Sequence, residues 1–277
     1  MSKMIQKKTL FLFLFCLVST FVNAQKVFDL PIWPQGAPTK SVDRDARANL
    51  RIYLPADRVS TGRAVVIFPG GAYKQLNDNH EGTQWAEFYN HLGIAAIVVN
   101  YRLPAGKEEV PMEDAEEAMR IVKRNAASWK IRSNDVGVMG FGVGGHLAAM
   151  LSTTGSKAAK PDFQILFYPL ITMMAEYTFQ EAHDNFLGKH SGKKQERNYS
   201  PDQKVTRVTP RALIILCDDD PVVQPANGIN YYTELYRNDV PASIHIYPKG
   251  GHGWGSNMGF EYHLEMIMEL KAWLKSF

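Results

Sequence analysis

Four stretches of this chain carry residue types that can do chemistry together. Gly140-Phe141-Gly142-Val143-Gly144-Gly145-His146 follows the apolar run Val136 to Gly140 and precedes the helix-forming Leu147-Ala148-Ala149-Met150-Leu151. A strand, a sharp glycine-lined turn and a helix make the frame of a nucleophile elbow, G-x-S-x-G, which lifts a serine hydroxyl above a strand end. Position 142 is glycine, so the frame is present without its reactive oxygen. Gly140, Gly142 and Gly145 also fit the dinucleotide fingerprint G-x-G-x-x-G, but that motif opens the first strand–helix unit and needs an acid about 20 residues on. Here at least two strand-like runs come first, and Ser152 to Lys160 holds no acid. Pro69-Gly70-Gly71-Ala72-Tyr73 ends another apolar run, and consecutive glycines let backbone N–H groups turn into a pocket where a developing oxyanion would sit. Taken alone it reads first as a glycine turn that merely ends a strand. Further on, Asp218-Asp219-Asp220 and then His252, flanked by Gly250, Gly251 and Gly253, supply an acid and a base in that order, each after a late strand-like run. There is no H-E-x-x-H, Cys/His cluster or calcium loop, so neither a metal nor a cofactor is expected.

The elements that must hold these residues follow from hydrophobic periodicity. Arg63 to Phe68, Ile94 to Asn100, Val136 to Gly140, Phe163 to Tyr168, Ala212 to Leu216 and Ser243 to Tyr247 are short apolar runs rich in β-branched residues, the pattern of strands buried on both faces. Glu113 to Trp129, after Pro111, and Glu261 to Phe277 place apolar residues at helical spacing. Alternating strands and helices predict an α/β fold, a mostly parallel central sheet with helices on both faces, whose ligand site lies beyond the carboxyl ends of the strands. With no repeat, low-complexity tract or linker, residues 25–277 read as one domain.

Residues 1–24 have the pattern of a secretory signal. Lys3, Lys7 and Lys8 precede the apolar run Leu10 to Val18, and Val22-Asn23-Ala24 offers a cleavage site. The run is shorter than the roughly 20 residues of a membrane span, and bulky Phe13-Leu14-Phe15 before Cys16 disfavours lipidation. Cleavage after Ala24 would leave 31 − 3 = 28 Lys+Arg against 28 Asp+Glu, a mature charge of zero. Nucleic acid and anionic membranes then have no compositional support as partners. One cysteine, Cys217, would remain, so an internal disulfide is excluded and stability must come from packing. The expected location is secreted or periplasmic; oligomeric state is not legible.

Over nearly all of residues 25–277 the chain resembles exported bacterial α/β-hydrolase esterases of the acetyl xylan esterase-like type, in the BD-FAE and lipase/esterase group. The resemblance is carried by Leu30-Pro31-Ile32-Trp33-Pro34, Pro69 to Tyr73, His80-Glu81-Gly82, Tyr101-Arg102-Leu103-Pro104, Lys160-Pro161-Asp162-Phe163, Asp218 to Val223 and Tyr247 to Gly255. It implies that His252 is the general base, that Asp220 orients it because the family's acid precedes x-x-V, and that Gly71 or Ala72 with Val143 forms the oxyanion hole. It also implies a carboxylic ester hydrolase acting on acylated carbohydrate or a small ester. The departure is Gly142, where the family carries serine. Three readings follow: a pseudoenzyme that binds carbohydrate or acylated ligand, a variant copy of an active esterase, or a site where His252 activates a water. Ser152 is no substitute, ten residues beyond and about 15 Å along a helix. Tyr73, Trp254 and Tyr168 are candidates for stacking on sugar rings, with core packing the alternative. His146 is expected to pack or cap, Glu81 and Arg102 to form an ion pair, Asp218 and Asp219 to be solvated turn residues, and 188–207 to be a solvated loop or the lining of a carbohydrate entrance.

Overall fold

A computed structural model describes residues 25–277; the signal-peptide expectation for 1–24 lies outside them. Eight strands form one sheet: β1 (Lys26–Pro31), β2 (Asn49–Leu54), β3 (Ala64–Phe68), β4 (Ala95–Asn100), β5 (Val136–Phe141), β6 (Phe163–Phe167), β7 (Arg211–Cys217) and β8 (Ala242–Tyr247). Their order across the sheet is β1-β2-β4-β3-β5-β6-β7-β8. From β4 to β8 every pairing is parallel, and only β1–β2 and β2–β4 are antiparallel. The helices are α1 (Gln84–His91), α2 (Glu109–Asn125), α3 (Val143–Thr154), α4 (Gln180–Leu187), α5 (Lys193–Asn198), α6 (Ala226–Arg237) and α7 (His263–Leu274), with a π turn at Asn79–Thr83 and a 3-10 turn at Pro201–Lys204.

The central strands are where the apolar runs predict them. Every residue of β3, β5 and β6 is buried, as parallel strands covered by helices on both faces require. The helix expected from Glu113 begins at Glu109, four residues earlier. Pro111 sits inside its first turn, where its missing N–H would have had no intrahelical acceptor. The stretch 188–207 is not a plain loop: it holds α5 and the 3-10 turn. It also braces the core, since Ser200, buried, accepts the Met173 N–H at 2.9 Å through its hydroxyl.

The fold brings β3 and α3 into unusually close contact. A methyl group on Gly144 would lie 2.0 Å from the carbonyl oxygen of Phe68, so only glycine lets the first turn of α3 rest on the end of β3. That approach sets the Pro69–Tyr73 loop beside the elbow.

Candidate active site

Gly142 separates β5 from α3 at φ +50°, ψ −114°, a strained turn that an L side chain adopts only where the surroundings over-determine it. The surroundings do so here. Its N–H donates to the Phe167 carbonyl at 3.1 Å, and its carbonyl accepts from His146 N–H at 3.2 Å and Leu170 N–H at 3.0 Å. The turn is thus held by β6 and α3 at once, and the position where a serine would stand is fixed by backbone alone.

His252 faces that position. A Cβ added at residue 142 would lie 3.2 Å from its Nε2. The other ring nitrogen, Nδ1, donates to Asp220 Oδ2 at 2.7 Å. Asp220 is buried, and its second oxygen accepts the Val222 and Val223 N–H groups at 2.9 Å each. These bonds hold the Asp220 carboxylate in place and, with Nδ1 donating to it, leave His252 Nε2 facing residue 142. Of the three aspartates, Asp220 alone reaches the histidine. Asp218 is exposed as expected. Asp219, although exposed, corrects the expectation of a merely solvated residue: its carboxylate accepts the Gly251 N–H at 2.8 Å and ties the histidine loop to the acid loop.

The backbone donors expected for an oxyanion stand beside this pair. Val143 is the first residue of α3, so its N–H has no intrahelical acceptor. Among the described residues, Gly71 and Ala72 also donate their N–H groups to no acceptor. Two consecutive non-glycine residues of that loop, Ala72 and Tyr73, take positive φ, 55° and 56°. Such strain costs about 1–3 kcal/mol per residue and persists only when neighbours hold it. Asn185 of α4 donates to the Ala72 carbonyl at 2.8 Å, Tyr101 donates its hydroxyl to the Pro69 carbonyl at 2.8 Å, and Tyr73 stacks on Phe186 with ring centres 4.7 Å apart.

Tyr73 and Trp254 do not serve as sugar-stacking residues. Their exposures are 1% and 5%, and Tyr168 is likewise buried. Trp254 lies face to face with Phe260 at 4.2 Å, inside an aromatic cluster. Tyr73 instead donates its hydroxyl to His146 Nδ1 at 2.7 Å, while His146 Nε2 donates to the Tyr199 carbonyl at 2.7 Å. A carbonyl can only accept, so the neutral tautomer is fixed with its proton on Nε2. Burial pushes this imidazole down to about 4, against a smaller opposing pull from the Tyr199 carbonyl. The unfolded chain, with an ordinary value near 6.5, therefore binds a proton that the folded chain refuses. Stability present above pH 6.5 drains as pH falls from 6.5 to 4, by about 3 kcal/mol in all. Urea unfolding at pH 7.5 and pH 4.5 is expected to show this loss, and His146→Phe to flatten it, although at pH 7.5 that variant is weaker by about 1–3 kcal/mol because the Tyr73 hydroxyl and Tyr199 carbonyl lose their partner.

Glu81 and Arg102 do not pair with each other. Glu81, buried, accepts the Gly70 N–H at 2.9 Å and the Tyr168 hydroxyl at 2.7 Å; that same Tyr168 oxygen accepts the Gly255 N–H at 2.9 Å. One carboxylate thereby links the Pro69–Tyr73 loop to the segment after His252, and the Tyr168 ring lies 4.7 Å from the His252 ring. Arg102 is bound to Asp114, its Nη2 at 2.7 Å and its own backbone N–H at 2.8 Å from that carboxylate. The bridging role of Glu81 and Tyr168 carries no local motif. Its only sequence signals are Glu81 within His80-Glu81-Gly82 and Tyr168 at the end of an apolar run, and neither points to the other.

Ser152 is buried and donates to the Ala148 carbonyl at 2.8 Å, so it stays within its own helix. A cavity of about 550 Å³ between Trp33, Glu113, Met150 and Tyr199 lies along the later turns of α3, away from the elbow. Among the described residues no group of three or more His, Cys, Asp or Glu side chains is placed to hold a metal ion.

The BD-FAE family model matches residues 50–235. An acetylxylan esterase from Xylanibacter ruminicola is 41% identical over 242 residues, which cover 86% of this chain and 50% of that protein. Endo-1,4-beta-xylanase B from Butyrivibrio fibrisolvens is 28% identical over 272 residues, 89% of this chain and 42% of that protein. The chain thus spans about half the length, or less, of these relatives. Among solved structures, the acetyl ester-xyloside bifunctional hydrolase from Caldicellulosiruptor lactoaceticus superposes with a TM-score of 0.84 at 27% identity, covering 93% of this chain and 98% of that one. A thermophilic esterase from Thermogutta terrifontis shares the fold at a TM-score of 0.71 and 20% identity, covering 89% of this chain and 90% of its own. A chain with this sheet and this elbow, matched by the family model over most of its length, belongs to the BD-FAE family of α/β-hydrolases.

Proposed function

We propose that the pocket is that of a carboxylic ester hydrolase acting on acylated carbohydrate, with acetyl groups on xylan or its fragments as the substrate class. The observation that carries this reading is the Asp220–His252 pair, 2.7 Å apart, aimed at a backbone elbow beside unpartnered N–H groups. Such a site takes a proton from a hydroxyl and stabilises the oxyanion of a tetrahedral intermediate. The relatives named for acetyl esters of xylan supply the substrate class. In this role His252 is the base, Asp220 its orienting acid, and Gly71, Ala72 and Val143 the oxyanion donors, with Gly142 at the nucleophile position.

A second reading rests on Gly142 itself. Glycine has no oxygen to acylate, so the same pocket would bind acylated carbohydrate without turning it over by the serine route. Acetate release from acetylated xylan fragments, measured for the native chain and for Gly142→Ser, separates the two. Release by the serine variant supports the esterase pocket, while no release from either protein overturns it.

The proposal extends to location. Removal of residues 1–24 on export would leave a secreted or periplasmic protein of zero formal net charge, and N-terminal sequencing of the exported chain is expected to begin at Gln25. A first residue within 1–24 would overturn that part.

A further inference from the structure

Resting on the ester-hydrolase reading of the pocket, we propose that His252 is itself the nucleophile of the chain as it stands, and that it accepts acyl groups only from esters with weakly basic leaving groups, such as aryl esters.

Three observations converge on Nε2. Asp220 holds the proton on Nδ1, so Nε2 carries a free lone pair. Among the described residues no hydrogen-bond partner meets Nε2. A Cβ at residue 142 would be 3.2 Å away, closer than Cβ contacts ordinarily are, so the imidazole occupies part of the room that a serine side chain would need. The atom with the lone pair faces residue 142, whose neighbour Val143 supplies one of the N–H groups proposed to hold the oxyanion.

The step balances without another reagent. The Nε2 lone pair forms a bond to the acyl carbon, and the carbonyl π pair moves onto oxygen, where the N–H groups hold it. That pair returns as the carbon–oxygen bond to the leaving group breaks, and the leaving group departs as an anion. The product is an N-acyl imidazolium, whose positive charge faces the Asp220 carboxylate at 2.7 Å through Nδ1–H. Water then adds to the acyl carbon and gives its proton to solvent. The nitrogen–carbon bond breaks with its pair returning to Nε2, and the carboxylic acid is released. The His252 side chain is 21% exposed, which gives water access to this intermediate.

The leaving-group restriction follows from the missing proton. In a serine triad, protonated Nε2 hands its proton to the departing oxygen. Here Nε2 is bonded to carbon at that moment and has none to give. A phenol, with a pKa of about 10, can leave as its anion, whereas an unactivated alkoxide is nearly as basic as hydroxide, whose parent water has a pKa of about 16. The intermediate formed from a sugar acetate therefore expels imidazole and returns to substrate.

The test is a rapid quench of the native chain with 4-nitrophenyl acetate, followed by intact-mass measurement and peptide mapping. One acetyl group on the His252 peptide, lost in His252→Gln and released by hydroxylamine, is the expected result. Alongside it, aryl acetates should turn over at rates that fall steeply with leaving-group pKa, and xylose acetates should not turn over. His252-dependent aryl hydrolysis with no acetyl trapped at His252 would overturn the proposal in favour of a water activated by the imidazole. So would native turnover of xylose acetates. If Gly142→Ser deacetylates xylan fragments while the native chain never acquires the acetyl group, the nucleophile proposal fails and the esterase pocket stands. If neither protein hydrolyses any ester, both fail.

Discussion

Gly142→Ser is expected to raise acetate release from acetylated xylan fragments by a factor on the order of 10⁴ or more. Triads that lose one member keep only about 10³ to 10⁴-fold over water, and loss of the serine costs on the order of 10⁶ in kcat. The other parts of the proposed machine are in place: the elbow backbone, the Asp220–His252 bond at 2.7 Å and the N–H groups of Gly71, Ala72 and Val143 proposed as oxyanion donors. Two costs subtract from the full gain. The new Cβ would meet Nε2 at 3.2 Å, so the imidazole must retreat by a few tenths of an ångström. It can do so because His252 sits in a segment with glycines at 250, 251 and 253, all at positive φ, rather than in a rigid strand. The second cost is backbone strain, since a serine at φ +50° loses about 1–2 kcal/mol relative to glycine. For a domain of this size that lowers Tm by roughly 2–8 °C. Activity and stability should therefore move in opposite directions, as they do where strain serves a reacting group. Kinetics on acetylated xylo-oligosaccharides and a thermal melt of the same two proteins check both halves. A gain of less than tenfold would mean that the His252 geometry does not serve a hydroxyl at position 142.

The features legible in the amino-acid sequence are local ones. The central strands are buried on both faces, so their sequences are continuous apolar runs that stand out from the helices between them. β1 and β2 have no such signature. Five of the six residues of β1 are exposed, and β2 alternates buried with partly buried or exposed residues. These two strands, the antiparallel end of the sheet, owe their place to the neighbours they hydrogen-bond, and those neighbours are not visible in their own composition. The same division runs through the site. The elbow, the acid and the histidine announce themselves because glycine spacing and strand ends are local. Glu81 and Tyr168 meet across 87 residues of sequence, and each invites a local reading, an ion pair or a sugar-stacking ring, that the fold overturns. Tyr73 shows why aromatic residues at strand ends mislead: a buried ring can brace the Pro69–Tyr73 loop from the inside. Conversely, the strain at Ala72 and Tyr73 has no sequence signal, because positive φ in non-glycine residues is imposed by the packing around them, here by Asn185 and Phe186 of α4.

Asp114→Ala is expected to destabilise the fold by about 3–5 kcal/mol, the largest single loss in the site's supporting structure. Asp114 has no exposed surface, and its carboxylate accepts from Arg102 Nε, Arg102 Nη2, the Arg102 backbone N–H and the Trp33 indole N–H, the last at 2.6 Å. Arg102 is itself 4% exposed. Removing the acid leaves a buried guanidinium without its partner, and that uncompensated charge, rather than the lost hydrogen bonds, dominates the cost. Glu113, 4.0 Å from Arg102 and partly exposed, offers only a distant replacement and is already engaged with the Thr39 hydroxyl. The damage should reach the pocket, because Trp33 and Thr39 are strapped to α2 through this cluster and Tyr101, adjacent to Arg102, holds the Pro69 carbonyl. Replacing both partners by apolar residues, Asp114→Leu with Arg102→Met, removes the stranded charge along with its acid. The double variant is therefore expected to be more stable than the sum of the two single losses by about 2–3 kcal/mol, a coupling that urea unfolding of the four proteins in a double-mutant cycle reads directly. Additive losses would show that Asp114 acts through packing alone and that Arg102 finds solvent or another acid when it is gone.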